Sequence, residues 1–245
     1  MSKFAVILPA AGESRRFTGF PRKKPFVELK GRAVWLRTAE HFLSRDDVSE
    51  VMLVLSSDDI DEFKERFRPN LAFMDITIVK GGACRAESVR NGISSLTEEA
   101  EFIAIHDAAR PLLTAKWLTE LFAAAAVHDA VIPGVPVSST VKAVDENLIQ
   151  RTVDRRNLVL AQTPQVFRRT LLQQAFDAAG DLSRFTDDAS IVEAYGQPVH
   201  VHPGSLTNIK ITTAQDFHLA EALLDTVSAD SRVKDLHPFS DDHFR

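Results

Sequence analysis

The chain has 245 residues, a length that suits one α/β domain, residues 1–245, and can bury a sizeable core without staples. A formal net charge of −5 argues against a general nucleic-acid or acidic-membrane binder. The single cysteine, Cys84, excludes an internal disulfide or a zinc cluster and suits a reducing compartment. The apolar run at residues 4–8 is shorter than a signal-peptide core, and no stretch approaches the roughly 20 apolar residues of a spanning helix. The expectation is a cytoplasmic protein with no membrane and no nucleic-acid partner.

In chain order, FAVIL at residues 4–8 predicts a buried strand, 34–43 a helix, 51–55 a strand and 59–67 a charged helix. Residues 76–79 predict a third strand, 87–96 a helix, 102–105 a fourth strand, 115–128 an alanine- and leucine-rich helix, and 130–137 a fifth strand. This alternation predicts an α/β fold: a mostly parallel sheet with helices on both faces. The rhythm breaks at 138–154. There two β-like runs, 140–144 and 148–153, flank Asp145, Glu146 and Asn147 and predict a hairpin. An isolated hairpin is marginal in water, so it either folds back on its own domain or reaches out as an arm of about 138–160. Helices are then expected at 169–179, 187–195 and 214–227 and strands at 199–202 and 208–211, with a loose polar tail from 228 to 245.

The first strand runs into PAAGESRRF, where small residues let a backbone approach a nucleotide and successive N–H groups can cradle phosphate. Arg15, Arg16, Arg22, Lys23 and Lys24 follow at once, and polyphosphate is the simplest reason for such a cluster on an acidic chain; a solvated basic loop is the alternative. Neither GxxxxGK[ST] nor GxGxxG is present, so the grip differs from a Walker loop or a dinucleotide fingerprint. After the third strand, Gly81 and Gly82 precede Ser88 at a helix start and suit close approach by a planar base. IHDAARP ends the fourth strand. Its Asp107 is placed to hold Mg²⁺ directly or through water, with an Asp107–Arg110 structural pair as the alternative, and His106 reads as structural. Later, TVDR, QTPQ, FTDD and NIK each set a hydroxyl or a base at an element end. Thr186 reads as an N-cap.

Seven segments occur in order over residues 5 to about 217: PAAGESRRF, GGACRAESVRNGI, IHDAARP, RTVDRRNL, QTPQVF, FTDDAS and NIKIT. Together they resemble the 2-C-methyl-D-erythritol 4-phosphate cytidylyltransferase family of isoprenoid-precursor biosynthesis. The resemblance implies a Rossmann-like core, a protruding β-arm, and a homodimer in which each arm completes the partner's site. It also implies transfer of a cytidylyl group from CTP, with Mg²⁺, to a sugar or polyol phosphate.

Residue by residue, the resemblance gives Ala10, Ala11 and Gly12 the nucleotide through backbone groups. Gly82 and Ser88 would read the cytosine, and Asp107 would organise Mg²⁺ and the ribose. Arg16, Lys24 and Lys210 would be catalytic, stabilising the reacting phosphate. Arg155 and Thr163, reaching from the partner chain, would hold the sugar phosphate with Thr140, Arg110 and Thr186. Two letters depart from the family pattern: Ser14 stands where a second glycine is usual, and Pro25 follows Lys23 and Lys24 rather than preceding the catalytic lysine, which leaves Lys23 as an alternative to Lys24. The competing readings are a ribitol 5-phosphate cytidylyltransferase, a sugar-1-phosphate nucleotidyltransferase and a non-catalytic nucleotide-binding paralogue.

Overall fold

The computed structural model describes residues 2–12, 26–97 and 99–235, with side chains as far as residue 227. In chain order the first half contains β1 (Phe4–Pro9), β2 (Glu28–Leu29), β3 (Arg32–Ala33), α1 (Val34–Leu43), β4 (Val48–Leu55), α2 (Ile60–Arg66), α3 (Arg68–Leu71), β5 (Thr77–Lys80), α4 (Arg85–Ser94) and β6 (Phe102–Ile105). The second half contains α5 (Ala115–His128), β7 (Ala130–Pro136), β8 (Val141–Asp145), β9 (Leu148–Val153), β10 (Val159–Ala161), β11 (Gln165–Arg168), α6 (Arg169–Ala178), α7 (Asp188–Ala194), β12 (His200–Pro203) and α8 (Ala214–Asp235).

One eight-stranded sheet organises the chain. β1 lies at its centre, parallel to β4 on one side and β6 on the other, and β5 extends it beyond β4. Successive side chains of a strand point to opposite faces, and both faces of β1 are buried. Phe4, Val6 and Leu8 pack with Trp35, Ala39 and Phe42 of α1 and Leu118, Leu121 and Phe122 of α5. Ile7 packs with Val89 and Ile93 of α4, and with Leu172 and Phe176 of α6. Strands covered on both sides read as unbroken apolar runs, which is why FAVIL and FIAI were legible as strands. A third cluster, Leu29, Val34, Leu112, Ile211, Phe217 and Ala220, docks α8 against β2 and α1.

The sheet is mostly parallel, as expected, but its far half is mixed. β11 runs antiparallel between β6 and β7; β10 pairs antiparallel with β7, and β12 runs parallel to β7. The sequence reading missed β10 and β11. β11 has four residues and only two aliphatic or aromatic letters, Val166 and Phe167, too few to show a period. Conversely, the strand expected at 208–211 is irregular chain. Asn208 N–H donates to Ser205 O, Ile209 N–H to Thr207 O and Ile211 N–H to Ala109 O, so its donors are taken by turns and by the loop after β6 rather than by a ladder. The charged helix expected at 59–67 divides into a single 3₁₀ turn, Ser57–Asp59, and α2. The final helix continues to Asp235, eight residues into the expected loose tail.

The predicted hairpin is present as β8 and β9, a two-stranded sheet separate from the main one. Glu146 and Asn147 form its two-residue loop with φ of 43° and 67°, the sign pattern that the right-handed twist of a hairpin favours. Among the described residues no helix is long and apolar enough to cross a membrane.

Candidate active site

The chain leaves β1 through α1 to reach β4 on one side, and reaches β6 on the other side only later, through α4. In open α/β sheets, such a reversal leaves a crevice at the carboxyl ends of the strands where ligands bind. Three loops meet there and are laced to neighbouring strands. Ala10 N–H donates to Val54 O (2.8 Å), Gly81 N–H to Leu55 O (2.7 Å) and His106 N–H to Ile7 O (2.9 Å). Ala10 is buried, Ala11 half-buried and Gly12 exposed; among the described residues, a side chain on Gly12 would meet nothing within 4 Å.

The two glycines after β5 are required by the contact between loops. A Cβ on Gly81 would lie 2.8 Å from Ala11 Cβ and 2.9 Å from Ser88 Oγ, and one on Gly82 would lie 2.4 Å from Glu87 Cβ. Ser88 Oγ accepts from Gly82 N–H (3.1 Å) and donates to Cys84 O (3.0 Å), while Glu87 Oε2 accepts from Ala83 N–H (2.7 Å). Ser88 is therefore buried as the clasp of this loop, with its hydroxyl committed to the loop's own backbone.

Asp107, at the end of β6, is the electrostatic centre. Lys210 Nζ lies 2.9 Å and Arg110 Nε 3.1 Å from its Oδ2; Arg85 Nε lies 3.8 Å from its Oδ1. Burial alone would raise the Asp107 carboxyl, but Lys210, Arg85 and Arg110 outweigh it and hold the group well below the usual carboxylate range. Arg85 also reaches Asp188 Oδ2 at 2.8 Å. Burial opposes the charge on Arg85, yet Asp188 and Asp107 together raise its pKa further above an already high value. For Asp188, burial outweighs the attraction of Arg85 and pushes the carboxyl up.

Beneath Asp107 a polar layer fixes the cluster. Thr163 Oγ1 accepts from Asp107 N–H (3.1 Å) and lies 3.0 Å from His106 Nδ1; His106 Nε2 lies 3.0 Å from Arg110 O. These contacts are mutually consistent for a neutral imidazole that accepts from the threonine hydroxyl and donates to the carbonyl. Burial lowers the His106 pKa to about 3. Arg110 Nη1 donates to Asn208 O (2.8 Å), and Asn208 Nδ2 donates to Thr163 O (2.8 Å), so the irregular 208–211 segment braces both Arg110 and Lys210.

The structure thus brings Asp107, Arg110, Thr163 and Lys210 into one bonded cluster beside Ala10, Ala11, Gly12, Gly82 and Ser88. The Asp107–Arg110 pair exists, and it sits inside the cluster rather than replacing it. Thr163 corrects an expectation: it is 5 % exposed, in the floor of its own chain's site, and does not reach outward toward a partner. Thr186 is exposed, and the N-cap of α7 is Asp187, whose Oδ1 accepts from Ser190 N–H (3.1 Å). A carboxylate one residue nearer the helix does the work assigned to the threonine. Thr140 and Arg155 are exposed at the two ends of the arm. Among the described residues, no hydrogen bond or ion pair ties Thr140, Arg155 or Thr186 to the cluster. Arg16, Lys24 and its alternative Lys23 lie outside the described residues.

A model of the 2-C-methyl-D-erythritol 4-phosphate cytidylyltransferase family matches residues 4–226. The chain belongs to that family. This cytidylyltransferase is 40 % identical over 225 residues to the 2-C-methyl-D-erythritol 4-phosphate cytidylyltransferase of Syntrophus aciditrophicus, covering 91 % of this chain and 96 % of the relative. A bifunctional IspD/IspF enzyme of Solidesulfovibrio magneticus is 38 % identical over 252 residues, covering 98 % of this chain; the chain spans 62 % of that relative's length. Among solved structures, the Francisella tularensis 2-C-methyl-D-erythritol 4-phosphate cytidylyltransferase superposes with a TM-score of 0.76 at 29 % identity, covering 90 % of this chain and 99 % of the other.

Sequence reasoning on the cytidylyltransferase missed Arg85, Asp188, Asn208 and Gln165. All four lay inside motifs that had been singled out, but a motif shows which letters travel together, not which of them touch. Gln165 Oε1 accepts from Asp188 N–H (3.0 Å) and Ala189 N–H (2.9 Å), and its Nε2 donates to Asp187 Oδ2 (2.8 Å). A side chain from β11 thereby completes the cap of α7. As for a metal, no group of three His, Cys, Asp or Glu side chains comes together among the described residues. One hard carboxylate, Asp107, whose Oδ1 has among the described residues only the long contact to Arg85, suits a cation such as Mg²⁺ that keeps waters and takes most of its other ligands from a substrate's phosphates.

Proposed function

We propose that this cytidylyltransferase transfers the cytidylyl group of CTP to 2-C-methyl-D-erythritol 4-phosphate, giving 4-diphosphocytidyl-2-C-methyl-D-erythritol and pyrophosphate. The observation that carries the reading is the buried carboxylate Asp107 ringed by Lys210, Arg110 and Arg85 at the sheet's switch point, in a chain that matches the family from residue 4 to 226.

A phosphate oxygen of the acceptor attacks the α-phosphorus of CTP in line; the new P–O bond forms as the bond to the β-phosphate bridging oxygen breaks. An acceptor monoester is already largely ionised at neutral pH, so no side chain need act as general base. The protein's work is positioning and charge stabilisation, as in other phosphoryl transfers. Backbone groups of Ala10, Ala11 and Gly12 hold the nucleotide. The Gly82 loop, clasped by Ser88, receives the base. Lys210, with Arg16 and Lys24, stabilises charge on the reacting phosphate. Arg110, Thr140, Arg155 and Thr186 bind the acceptor, and Thr163 acts from below by fixing Asp107 and His106. Mg²⁺, held by Asp107 and the nucleotide's phosphates, would neutralise charge on the triphosphate.

The arm supports a homodimer. Val144 and Ile149, paired across the hairpin, are more than half exposed, as are Leu148 and, in β10, Leu160, and exposed apolar side chains of this kind fit a second copy that covers them. Arg155 then reaches the partner's site. A cytoplasmic location fits the chemistry and the lone thiol. The test is pyrophosphate release from CTP and Mg²⁺ with the erythritol and ribitol phosphates run side by side. Release with the erythritol compound alone is expected; release with ribitol 5-phosphate alone moves the acceptor assignment and leaves the nucleotide chemistry intact.

A further inference from the structure

Asp188 is a costly residue for its position. It is fully buried, and while its Oδ2 accepts from Arg85, its Oδ1 has no hydrogen-bond partner among the described residues. Burying a carboxylate with an empty oxygen costs stability, which calls for a reason that the residue is there. Helix capping does not require it. The first donors of α7 are satisfied without it, Ser190 N–H by Asp187 and the N–H groups of Asp188 and Ala189 by Gln165. What Asp188 does hold is Arg85, the first residue of α4, directly after the nucleotide loop. The guanidinium of Arg85 spans from Asp188 Oδ2 at 2.8 Å to Asp107 Oδ1 at 3.8 Å.

We propose that Asp188 and Arg85 are positioning residues that act as one strut. Asp188 aims the Arg85 fork, Arg85 fixes Asp107 toward the triphosphate and its cation, and the strut ties the acceptor-side loop at Phe185 and Thr186 to the nucleotide loop at Gly81 and Gly82. The inference rests on the cytidylyltransferase reading for the identity of the nucleotide, and on the structure alone for the connection. Lys210 and Arg110 both face Asp107 Oδ2, so among the described residues Arg85 is the cation that faces the other oxygen. Its planar fork can serve two carboxylates at once, which a lysine's single ammonium at that distance cannot do.

The experiment uses the full chain with Asp188→Leu, Asp188→Asn, Arg85→Gln and the Asp188→Asn/Arg85→Gln double variant. Affinity for CTP in the presence of Mg²⁺ is read by calorimetry, fold stability by thermal unfolding, and turnover by pyrophosphate release. Removing one partner of a buried ion pair leaves the other charge uncompensated and costs stability. Asp188→Leu is therefore expected to melt below the wild-type temperature and, measured well below that melting point, to bind CTP more weakly, by on the order of 10-fold, as removal of an outer partner of a ligand-holding group does. Asp188→Asn and Arg85→Gln are expected to lose affinity by the same order, and the double variant no more than the worse single one. A fall in the melting temperature of Asp188→Leu with unchanged CTP affinity makes Asp188 purely structural and overturns the proposal. So does unchanged affinity in folded Arg85→Gln, or additive losses in the double variant. Pyrophosphate release by the wild type judges the cytidylyltransferase reading separately, because binding is measured without turnover.

Discussion

β6 and β9 both begin with apolar letters, FIAI and LI, and both lead to charged residues expected to serve the site. β6 is buried along its whole length and delivers Asp107 into a ring of three cations. In β9, Leu148 is 68 % and Ile149 64 % exposed, and the strand leads to Arg155 in open solvent. In the first region an apolar frame lowers the local dielectric, so ion pairs are strong and their geometry is held. In the second, apolar side chains are left exposed among the described residues, and the charged residue beyond them has no partner in the cluster among those residues. Among the described residues, the first region pairs its charges within its own chain. In the homodimer proposed above, a second copy covers the other.

The sharpest way to break that contrast is to damage the first region. Lys210→Ala should lower turnover by roughly 10²–10³ with little change in folding, as loss of one charge stabiliser does. Asp107→Asn should lower turnover at least as far and also destabilise by on the order of 3 kcal/mol, because three cations then face an uncharged amide. Steady-state kinetics with urea unfolding separates the two variants; a Lys210→Ala protein with normal turnover would remove Lys210 from the chemistry.

A second test uses acidity. His106 is held neutral with a pKa of about 3, below its ordinary 6.5. Protons bound by the unfolded chain and refused by the folded one cost stability as pH falls. The contribution is intact above pH about 6.5 and is lost progressively until the folded group titrates near 3, at about 1.4 kcal/mol per pH unit within that window. His41, half-buried and also lowered by burial, adds to the slope. Unfolding free energies measured from pH 7 to 4 should show this decline, and His106→Gln should flatten it. An unchanged slope in that variant would place the acid sensitivity elsewhere.

The arm calls for gentler tests. Mixing Arg155→Ala subunits with Lys24→Ala subunits, each inactive alone, should restore activity if the arm completes the partner's site; verified mixed dimers without activity would show that Arg155 serves its own chain. Ile149→Asp should shift sedimentation toward monomer. It should change the unfolding free energy of the monomer by no more than about 0.5 kcal/mol, since the side chain packs on little in its own chain. A large loss of monomer stability would mean that the hairpin folds back after all.

Much of this was written in local patterns. Unbroken apolar runs gave β1, β4 and β6, 3.6-residue spacing gave α1 and α5, and the Glu146–Asn147 turn gave the hairpin, because each depends on neighbours within one stretch of chain. The motifs around Gly12, Gly82, Asp107 and Lys210, taken together and in order, carried the resemblance to the family, because each is a local string of letters. What local pattern could not carry was who meets whom. β11 slips antiparallel between two parallel strands on the strength of two apolar residues. Thr163 turns inward beneath Asp107, residue 208 braces residue 110, and Arg85 finds Asp188 across 103 positions of sequence. These contacts join segments that only the closed sheet brings within hydrogen-bonding distance, so sequence determined the elements and the residue chemistry, and the tertiary structure decided which charges act together.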